Sequence, residues 1–181
     1  MEITVEKIIE DKKPILAEML KAMKHLEDGG EYRYLASYWT KADYIPYFIL
    51  ADGEIAGFVL LNKYFWILPR EKNNYGVAEI YVKPDFRRKG IAKRAMFRVF
   101  ELHPGNWEIR PLDGSVDAQT FWEHTLEMYT SGNYRTTCFG KYKRPIYTLQ
   151  APVVDKTGRE IIYREAYLSP GIQNTGCATA P

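Results

Sequence analysis

The spacing of apolar residues along the chain changes repeatedly between the period of a strand and the period of a helix. Short apolar or alternating segments predict strands at residues 3–5, 47–50, 55–61, 77–82, 107–110, 134–139 and 146–149. Helical spacing predicts a helix that starts near Pro14 and is ended by Asp28-Gly29-Gly30, and further helices over residues 90–102 and 117–130. Asp52-Gly53, between two of the strands, is a strong hairpin signal. The pattern therefore predicts a mixed domain of strands and helices.

The regular pattern extends to about residue 150 of the 181 residues, a length that suits one domain with a substantial core. We therefore expect a domain over residues 1–150 and an extension over residues 151–181. Within the extension, residues 153–154 and 161–163 predict a hairpin, and the small polar residues from 169 onward predict a loose tail. The hairpin could extend the sheet, contact a second subunit of a homodimer, or act as a lid. The first two are favoured because alternating edge strands tend to find partners.

Composition and charge argue against several classes of protein. Hydrophobic residues make up 46% and charged residues 27%, which is the balance of a soluble globular protein. The net charge of +2 argues against a dedicated nucleic-acid binder, and no apolar run is long enough to span a membrane. The first residues do not form a signal peptide, so the cytoplasm is expected. Neither Cys138 nor Cys177 has metal-ligand spacing, we expect no metal, and Cys138 should lie in the core.

A basic, glycine-containing segment at residues 87–92, Arg-Arg-Lys-Gly-Ile-Ala, lies between a predicted strand and a predicted helix. The first N–H groups of a helix are unpaired and carry partial positive charge. Gly90 allows close approach of a ligand to the backbone, and the three basic side chains add charge beside the amides. These features favour a bound pyrophosphate. A solvated basic turn before a surface helix would explain the same residues.

Residues 77–100 resemble the acetyl-CoA motif of the GNAT acetyltransferases, Gln/Arg-x-x-Gly-x-Gly/Ala, which Arg87, Gly90 and Ala92 fill. Residues 104–108 and 117–122 are similar to a bacterial branch of predicted acetyltransferases. The order of elements fits from Ile3 to about Leu149. The resemblance implies an α/β (α+β) architecture, the GNAT fold, in which a splayed, mixed and mostly antiparallel sheet is flanked by helices. A C-terminal hairpin extends it here.

The resemblance also implies acetyl-CoA (coenzyme A) as the cofactor. Its acetyl-pantetheine arm would lie between the strand at 77–82 and the strand at 107–110, with the thioester carbonyl polarised by a backbone N–H near Val82. The cofactor-binding residues that it implies are Ile80, Tyr81, Val82, Arg87, Arg88, Lys89, Gly90, Ile91, Ala92, Ser115, Phe121 and Trp122.

The chemistry of amine acetylation requires a base, because a protonated amine has no lone pair. Glu79 is the candidate general base, since many GNAT enzymes carry a basic carboxylate on this strand, and Glu108 is a second candidate. A surface glutamate or an ion-pair partner is the alternative interpretation of Glu79. The family often supplies a tyrosine as general acid where this chain has Trp122, and an indole is not a useful acid. The usual general acid is therefore absent from its position.

The resemblance implies an N-acetyltransferase that acts on a primary amine of a small molecule or a peptide by direct attack on the thioester. The missing tyrosine motivates an alternative, a non-catalytic acyl-CoA-binding or regulatory module. A third hypothesis, a nucleic-acid binder, conflicts with the near-neutral charge. Aromatic side chains before and beside the cofactor strand could shape the acceptor pocket, although core packing explains them at least as well. They are Tyr32, Tyr34, Tyr38, Trp39, Tyr44, Tyr64, Phe65 and Trp66.

Overall fold

The structure is a computed structural model that describes residues 1–23, 32–140, 144–154 and 160–161. The strands are β1 (Ile3–Lys7), β2 (Ile45–Ala51), β3 (Glu54–Asn62), β4 (Asn74–Val82), β5 (Gly105–Ile109), β6 (Arg135–Phe139), β7 (Arg144–Ala151), β8 (Val153–Val154) and β9 (Glu160–Ile161). The helices are α1 (Lys13–Lys21), α2 (Ser37–Thr40), α3 (Ile91–Leu102) and α4 (Val116–Thr130). Every strand and helix predicted before residue 150 is confirmed, with ends that differ by a few residues. The end predicted for the first helix, at residues 28–30, lies outside the described residues.

Seven strands form one sheet in the order β1-β2-β3-β4-β5-β7-β6. The β4–β5 pair is parallel, whereas the β1–β2, β2–β3, β5–β7 and β6–β7 pairs are antiparallel. This confirms the mixed, mostly antiparallel sheet with helices. β8 and β9 pair antiparallel, Val153 with Ile161, so the predicted strands of the C-terminal hairpin do pair. The turn between them and Tyr163 lie outside the described part, and the domain boundary at residue 150 stays a prediction.

The chain forms two compact units, each built from two segments. The first comprises Met1–Tyr64 and Val77–Val99, and the second comprises Phe65–Gly76 and Phe100–Pro181. β4 and α3 therefore contribute residues to both units. The candidate cofactor loop and Glu79 belong to the first unit, whereas α4 belongs to the second.

The core of the first unit forms where the amphipathic helix α1 buries one face. Pro14 lies in the first turn of α1, where its missing N–H costs no hydrogen bond. Leu16, Met19 and Leu20 follow at helical spacing and are buried. They pack with strand residues such as Phe58 in one apolar cluster. Each such side chain contributes about 1.5–3 kcal/mol by leaving water.

Local backbone chemistry fixes the β2–β3 hairpin. Asp52 and Gly53 have φ angles of 48° and 83°. Two successive positive φ angles define a type I′ turn, whose twist matches that of the flanking strands. The Asp-Gly hairpin signal is confirmed.

Gly57 on β3 allows an unusually close approach of β4. A Cβ atom at this position would lie well inside van der Waals contact of the Tyr81 carbonyl oxygen. The Lys83 N–H also donates to the Ala56 carbonyl at 2.8 Å. The end of β4, which leads into the candidate loop, is therefore held close to β3.

The core of the second unit is aromatic. Trp107 and Phe100 are fully buried, and their rings meet edge to face with centroids 4.9 Å apart. Tyr129 packs against Phe100, with the two ring centroids 4.8 Å apart. Tyr147 is also fully buried and donates to the Glu123 carboxylate at 2.8 Å.

Cys138 on β6 is half-buried and disulfide-bonded. Cys138 was expected in the core, whereas it is only half-buried, and its disulfide was not predicted. Cys177 lies outside the described residues. Spacing in the sequence did not indicate the disulfide, because two isolated cysteines fit no disulfide pattern.

Candidate functional site

The basic loop between β4 and α3 has an irregular backbone that gathers N–H groups. A 3-10 turn over Pro84–Phe86 precedes it. Arg88 and Gly90 then adopt φ angles of 59° and 70°. A glycine takes this left-handed conformation freely, whereas a residue such as Arg88 costs on the order of 1 kcal/mol. Strain of this kind tends to persist at functional sites, and turns of this kind form concave groups of amides that attract anions.

The amides at the start of α3 are available to a ligand. The backbone N–H groups of Phe86 and Arg87 are paired with carbonyls of the preceding turn, and Arg94 makes the first bond of α3, to Gly90 at 3.1 Å. Between them, the N–H groups from Arg88 to Ala92 donate to no acceptor within residues 1–23, 32–140, 144–154 and 160–161. Helix termini leave such donors for water or for an anion.

Two of the three basic side chains of the loop are held in place by local contacts. Arg87 Nε donates to the Val82 carbonyl at 2.9 Å, and its guanidinium lies 5.6 Å from the centre of the Tyr81 ring. Lys89 Nζ donates to the Asp85 carbonyl at 2.9 Å. Arg87, Arg88 and Lys89 are all exposed. Their charges therefore stand beside the amides, and no ion pair with another described residue neutralises them.

The space above the loop is open. A Cβ atom built at Gly90 would meet no atom within 4 Å. Ile91, the next residue, is buried and anchors the first turn of α3 in the core, while Ala92 is half-buried. The predicted loop residues therefore lie together on one short segment that combines unpaired amides, exposed cations and open space.

The end of β4 leads directly into this loop. Ile80, Tyr81 and Val82 are half-buried, and the Tyr81 ring stacks on Phe58 with centroids 5.6 Å apart. These three predicted residues therefore precede the loop on one strand and remain partly accessible.

Glu79 lies one residue earlier on β4, within a group of tyrosines. It is half-buried, as are Tyr32 and Tyr44, whereas Tyr38 is 4% exposed. Burial raises the pKa of Tyr32, and the charge of Glu79 raises it further. Burial is also the main cause that raises the pKa of Tyr38. Its interactions with Tyr32 raise this pKa further, and the charge of Glu79 adds a smaller increase. The negative charge of Glu79 therefore contributes to the raised pKa of both phenols.

The Tyr38 ring meets Tyr44 at 90°, with centroids 5.3 Å apart. Its hydroxyl is buried and has no hydrogen-bond partner in the described part of the chain. The aromatic residues near position 40 were recognised in the sequence, but nothing there linked them to Glu79, since the link depends on tertiary packing.

The remaining predicted residues lie on α4, in the second unit. Ser115 caps α4, since its Oγ accepts the Ala118 N–H at 3.1 Å. Phe121 and Trp122 are on the next turns, with ring centroids 5.0 Å apart at 64°. Trp122 is only 4% exposed. The side chain that stands at the usual tyrosine position is therefore enclosed.

Glu108, the second candidate base, is 1% exposed on β5. Its Oε1 accepts the Trp66 N–H at 2.8 Å, and its Oε2 accepts those of Ile67 and Leu68 at 2.9 and 3.0 Å. Arg110 Nε lies 3.7 Å from Oε1, and its guanidinium lies 5.1 Å from the centre of the Trp66 ring. These contacts favour a structural role, in which a buried carboxylate holds the loop at residues 66–68. The sequence gives only a weak signal of this structural role, namely an acidic residue between two buried strand residues.

Within the ranges that the structure describes, no three His, Cys, Asp or Glu side chains converge as a metal site. No helix there combines the length and the apolar character needed to cross a bilayer.

The sequence model of the Acetyltransferase (GNAT) family matches residues 13–124, which is more than half of the 181-residue chain. This range contains Glu79, the basic loop and the start of α4. A sequence comparison with curated proteins gives no significant match.

Solved structures share the fold. PaiA N-acetyltransferase from Thermoplasma acidophilum, in complex with coenzyme A, has a TM-score of 0.55 at 15% identity over 83% of this chain and 99% of that chain. An acetyltransferase from Bacillus subtilis in complex with CoA has a TM-score of 0.55 at 14% identity, over 82% of this chain and 99% of that chain. A chimera of spermidine N-acetyltransferase SpeG from Vibrio cholerae and hSSAT has a TM-score of 0.57 at 12% identity, over 83% of this chain and 96% of that chain.

Proposed function

Because the chain belongs to the GNAT family of acetyltransferases, with acetyl-CoA as its cofactor, we propose that it transfers the acetyl group to a primary amine. The acceptor is an amine of a small molecule or a peptide, and it attacks the thioester directly. The observation that carries this proposal is the row of unpaired amides from Arg88 to Ala92 beside three exposed cations.

In the proposed complex, these amides hold the pyrophosphate of the cofactor, and backbone groups of Ile80, Tyr81 and Val82 bind the pantetheine arm. Acetyl-CoA supplies a thioester carbonyl carbon, at which the C–N bond to the amine forms while the C–S bond breaks. Arg87 and Lys89 add charge that is already fixed by carbonyl contacts, so little side-chain freedom is lost on binding. Ser115, Phe121 and Trp122 are proposed to contribute from α4.

Glu79 is proposed as the general base. An alkyl ammonium has a pKa near 10.4, so at neutral pH only about one molecule in a few thousand carries a free lone pair. Glu79 accepts the ammonium proton, directly or through a water molecule, and the neutral amine then attacks. Its half-buried position among tyrosines supports this role, because a carboxylate there can attract an ammonium group and is still accessible to it.

A second candidate function is a non-catalytic acyl-CoA-binding or regulatory module. Trp122 favours it, because this buried indole stands where the family often has the tyrosine that protonates the departing sulfur. Tyr129, on the same helix, packs against Phe100. In the enzyme, the thiolate would leave unassisted or with another tyrosine as the acid. A cytoplasmic location and a homodimer formed through residues 151–181 are predictions from the sequence.

Thiol release from acetyl-CoA, measured with a panel of primary amines, separates the two candidates. Turnover with at least one amine supports the enzyme, whereas coenzyme A binding in calorimetry without turnover on any amine supports the module.

The role of Glu79 is tested by Glu79→Gln, with the exposed strand residue Glu54 changed to Gln as the matched control. We expect Glu79→Gln to retain coenzyme A binding and to slow turnover mainly at lower pH, where few amine molecules are deprotonated by solvent. An unaltered pH–rate profile would remove Glu79 as the base.

A further inference from the structure

The side chain of Arg87 reaches from the basic loop back to the end of β4. Its Nε donates to the Val82 carbonyl at 2.9 Å, and Val82 is the last residue of the strand. The side chain of Lys89, by contrast, donates to the Asp85 carbonyl, within the turn that precedes the loop. Arg87 therefore connects the candidate diphosphate loop with the strand that is proposed to carry the pantetheine arm.

Aromatic packing holds the Arg87 guanidinium in place over β4. Its central carbon lies 5.6 Å from the centre of the Tyr81 ring, a distance at which a cation is attracted to the face of a ring. The Tyr81 ring in turn stacks on the fully buried Phe58 of β3, with centroids 5.6 Å apart and planes inclined by 26°. The guanidinium is exposed, yet this chain of contacts ties it to the core of the first unit.

The peptide groups on either side of Val82 fix the direction of its backbone. A trans peptide group is planar, with its N–H and its C=O pointing in opposite directions, and no described peptide bond is cis. The Lys83 N–H donates to the Ala56 carbonyl on β3 at 2.8 Å, so the Val82 carbonyl points away from β3. The Tyr81 carbonyl lies directly against Gly57 on β3, so the Val82 N–H points away from β3 as well.

Both backbone groups of Val82 therefore lie on the edge of β4 that is turned away from β3. On this edge the register with β5 covers Asn74–Gly76 and ends before Val82. A thioester oxygen that gains negative charge during acyl transfer is stabilised by an N–H that points at it. The carbonyl on the same edge opposes that charge, because its oxygen is itself partly negative. Arg87 sets a full positive charge against this carbonyl and so removes the opposition.

We propose that Arg87 is a positioning residue for the acetyl end of the cofactor, in addition to supplying charge beside the diphosphate. Its Nε–H holds the Val82 carbonyl and thereby keeps the Val82 N–H directed at the thioester oxygen. The other N–H groups of the guanidinium remain for the diphosphate. The proposal rests on the proposed acetyl transfer. It makes one side chain couple the capture of the diphosphate to the alignment of the thioester.

Arg87→Lys separates this role from a contribution of charge alone. Lysine keeps the positive charge but has neither the Nε–H nor the flat surface that lies over Tyr81. The variant should bind adenosine 3′-phosphate 5′-diphosphate, the half of coenzyme A that carries the diphosphate, about as tightly as wild type. The rate of a single turnover with acetyl-CoA should fall about tenfold, because the Val82 N–H is no longer held in line with the thioester.

Lys89→Gln is the matched control, because Lys89 is an exposed cation of the same loop whose carbonyl contact does not involve β4. It should weaken the binding of coenzyme A and of its nucleotide half by the same factor and raise the KM for acetyl-CoA. Tyr81→Leu removes the ring beside Arg87 and should reproduce a part of the loss in turnover rate, which Tyr81→Phe should restore.

Dissociation constants of all variants are measured by calorimetry, and their folding is checked by thermal unfolding. Thiol release in a single turnover is followed with the protein in excess over acetyl-CoA and with a saturating amine. The amine is the one that wild type uses best among butylamine, 1,4-diaminobutane and a lysine-containing peptide.

The inference is supported if Arg87→Lys keeps its affinity for the nucleotide half and loses single-turnover rate, while the effect of Lys89→Gln falls on binding. It is overturned if Arg87→Lys transfers acetyl groups as fast as wild type, or if its only defect is an equal weakening of both ligands. Turnover by wild type in either case leaves the acetyltransferase proposal standing. Coenzyme A binding by wild type without turnover on any amine would remove the acetyltransferase proposal and the positioning role together.

Discussion

Glu108→Gln tests whether a single buried carboxylate organises the loop at residues 66–68. Glu108 accepts three backbone N–H groups, one on Oε1 and two on Oε2. A glutamine has nearly the same shape but only one oxygen, so its NH₂ group must replace one of the acceptors. The best arrangement keeps the Ile67 and Leu68 contacts and turns the NH₂ toward the Trp66 N–H, which then faces a donor.

The magnitude follows from those contacts. A buried N–H that loses its acceptor costs about 1–3 kcal/mol, and a hydrogen bond that changes from charged to neutral loses about 1 kcal/mol. Relief of the desolvation of a carboxylate that is 1% exposed offsets part of this. Arg110, only 3.7 Å away, loses its counter-charge as well. We expect a net loss of about 2 kcal/mol in the free energy of unfolding, which is a sizeable part of the 5–15 kcal/mol that is typical of proteins.

Thermal and urea unfolding of the whole chain measure the effect. For a chain of this size, a loss of about 2 kcal/mol corresponds to a melting temperature lower by roughly 4–8 °C. Glu54→Gln, at an exposed position, should stay within about 0.5 kcal/mol of wild type. If Glu108→Gln matched that control, the three short N–H contacts would carry no net stability and the structural assignment of Glu108 would be refuted.

Variants at three further positions test the loop and the elements around it. Gly90→Glu should abolish coenzyme A binding in calorimetry, because it puts an anion beside the phosphates, whereas Gly90→Ala should cost about 1–2 kcal/mol through its positive φ without a clash; equal affinity in Gly90→Glu and wild type would count against the site. Gly57→Ala should lower the melting temperature and weaken coenzyme A binding, since its Cβ would push the Tyr81 carbonyl away; an unchanged affinity would show that this approach of β4 is dispensable. Ser115→Ala should destabilise the protein by about 1 kcal/mol in urea unfolding through loss of the cap on Ala118, and a neutral effect would mean that water replaces the cap.

Local chemistry made the elements and the cofactor loop predictable from the sequence. The Asp52-Gly53 turn and the helix stripe after Gly90 each act within a few residues, so their signals survive without tertiary information. The left-handed conformation of Arg88 was not predictable, because a bulky residue rarely adopts it.

Contacts between distant segments were the part that the sequence could not provide. The charge of Glu79 raises the pKa of Tyr38, which lies about 40 residues earlier in the chain, so this interaction depends on tertiary packing. Glu108 was considered a candidate base because the sequence does not show its three amide donors. These donors come from a loop about 40 residues earlier in the chain. The disulfide at Cys138 was not indicated by the sequence either. Each of these depends on tertiary packing, which hydrophobic periodicity does not encode.

The crowding of Arg87, Arg88 and Lys89 at the positive end of α3 has a consequence for the lifetime of the protein in a cell. Like charges at a helix start repel one another and the helix dipole until an anion joins them. A ligand that binds only the folded chain stabilises it by about 2.7 kcal/mol at one hundred times its dissociation constant. If the proposed site binds coenzyme A thioesters, a fall in their supply would leave more of the chain unfolded and open to degradation. The abundance of the protein would then follow the metabolic state that feeds its reaction.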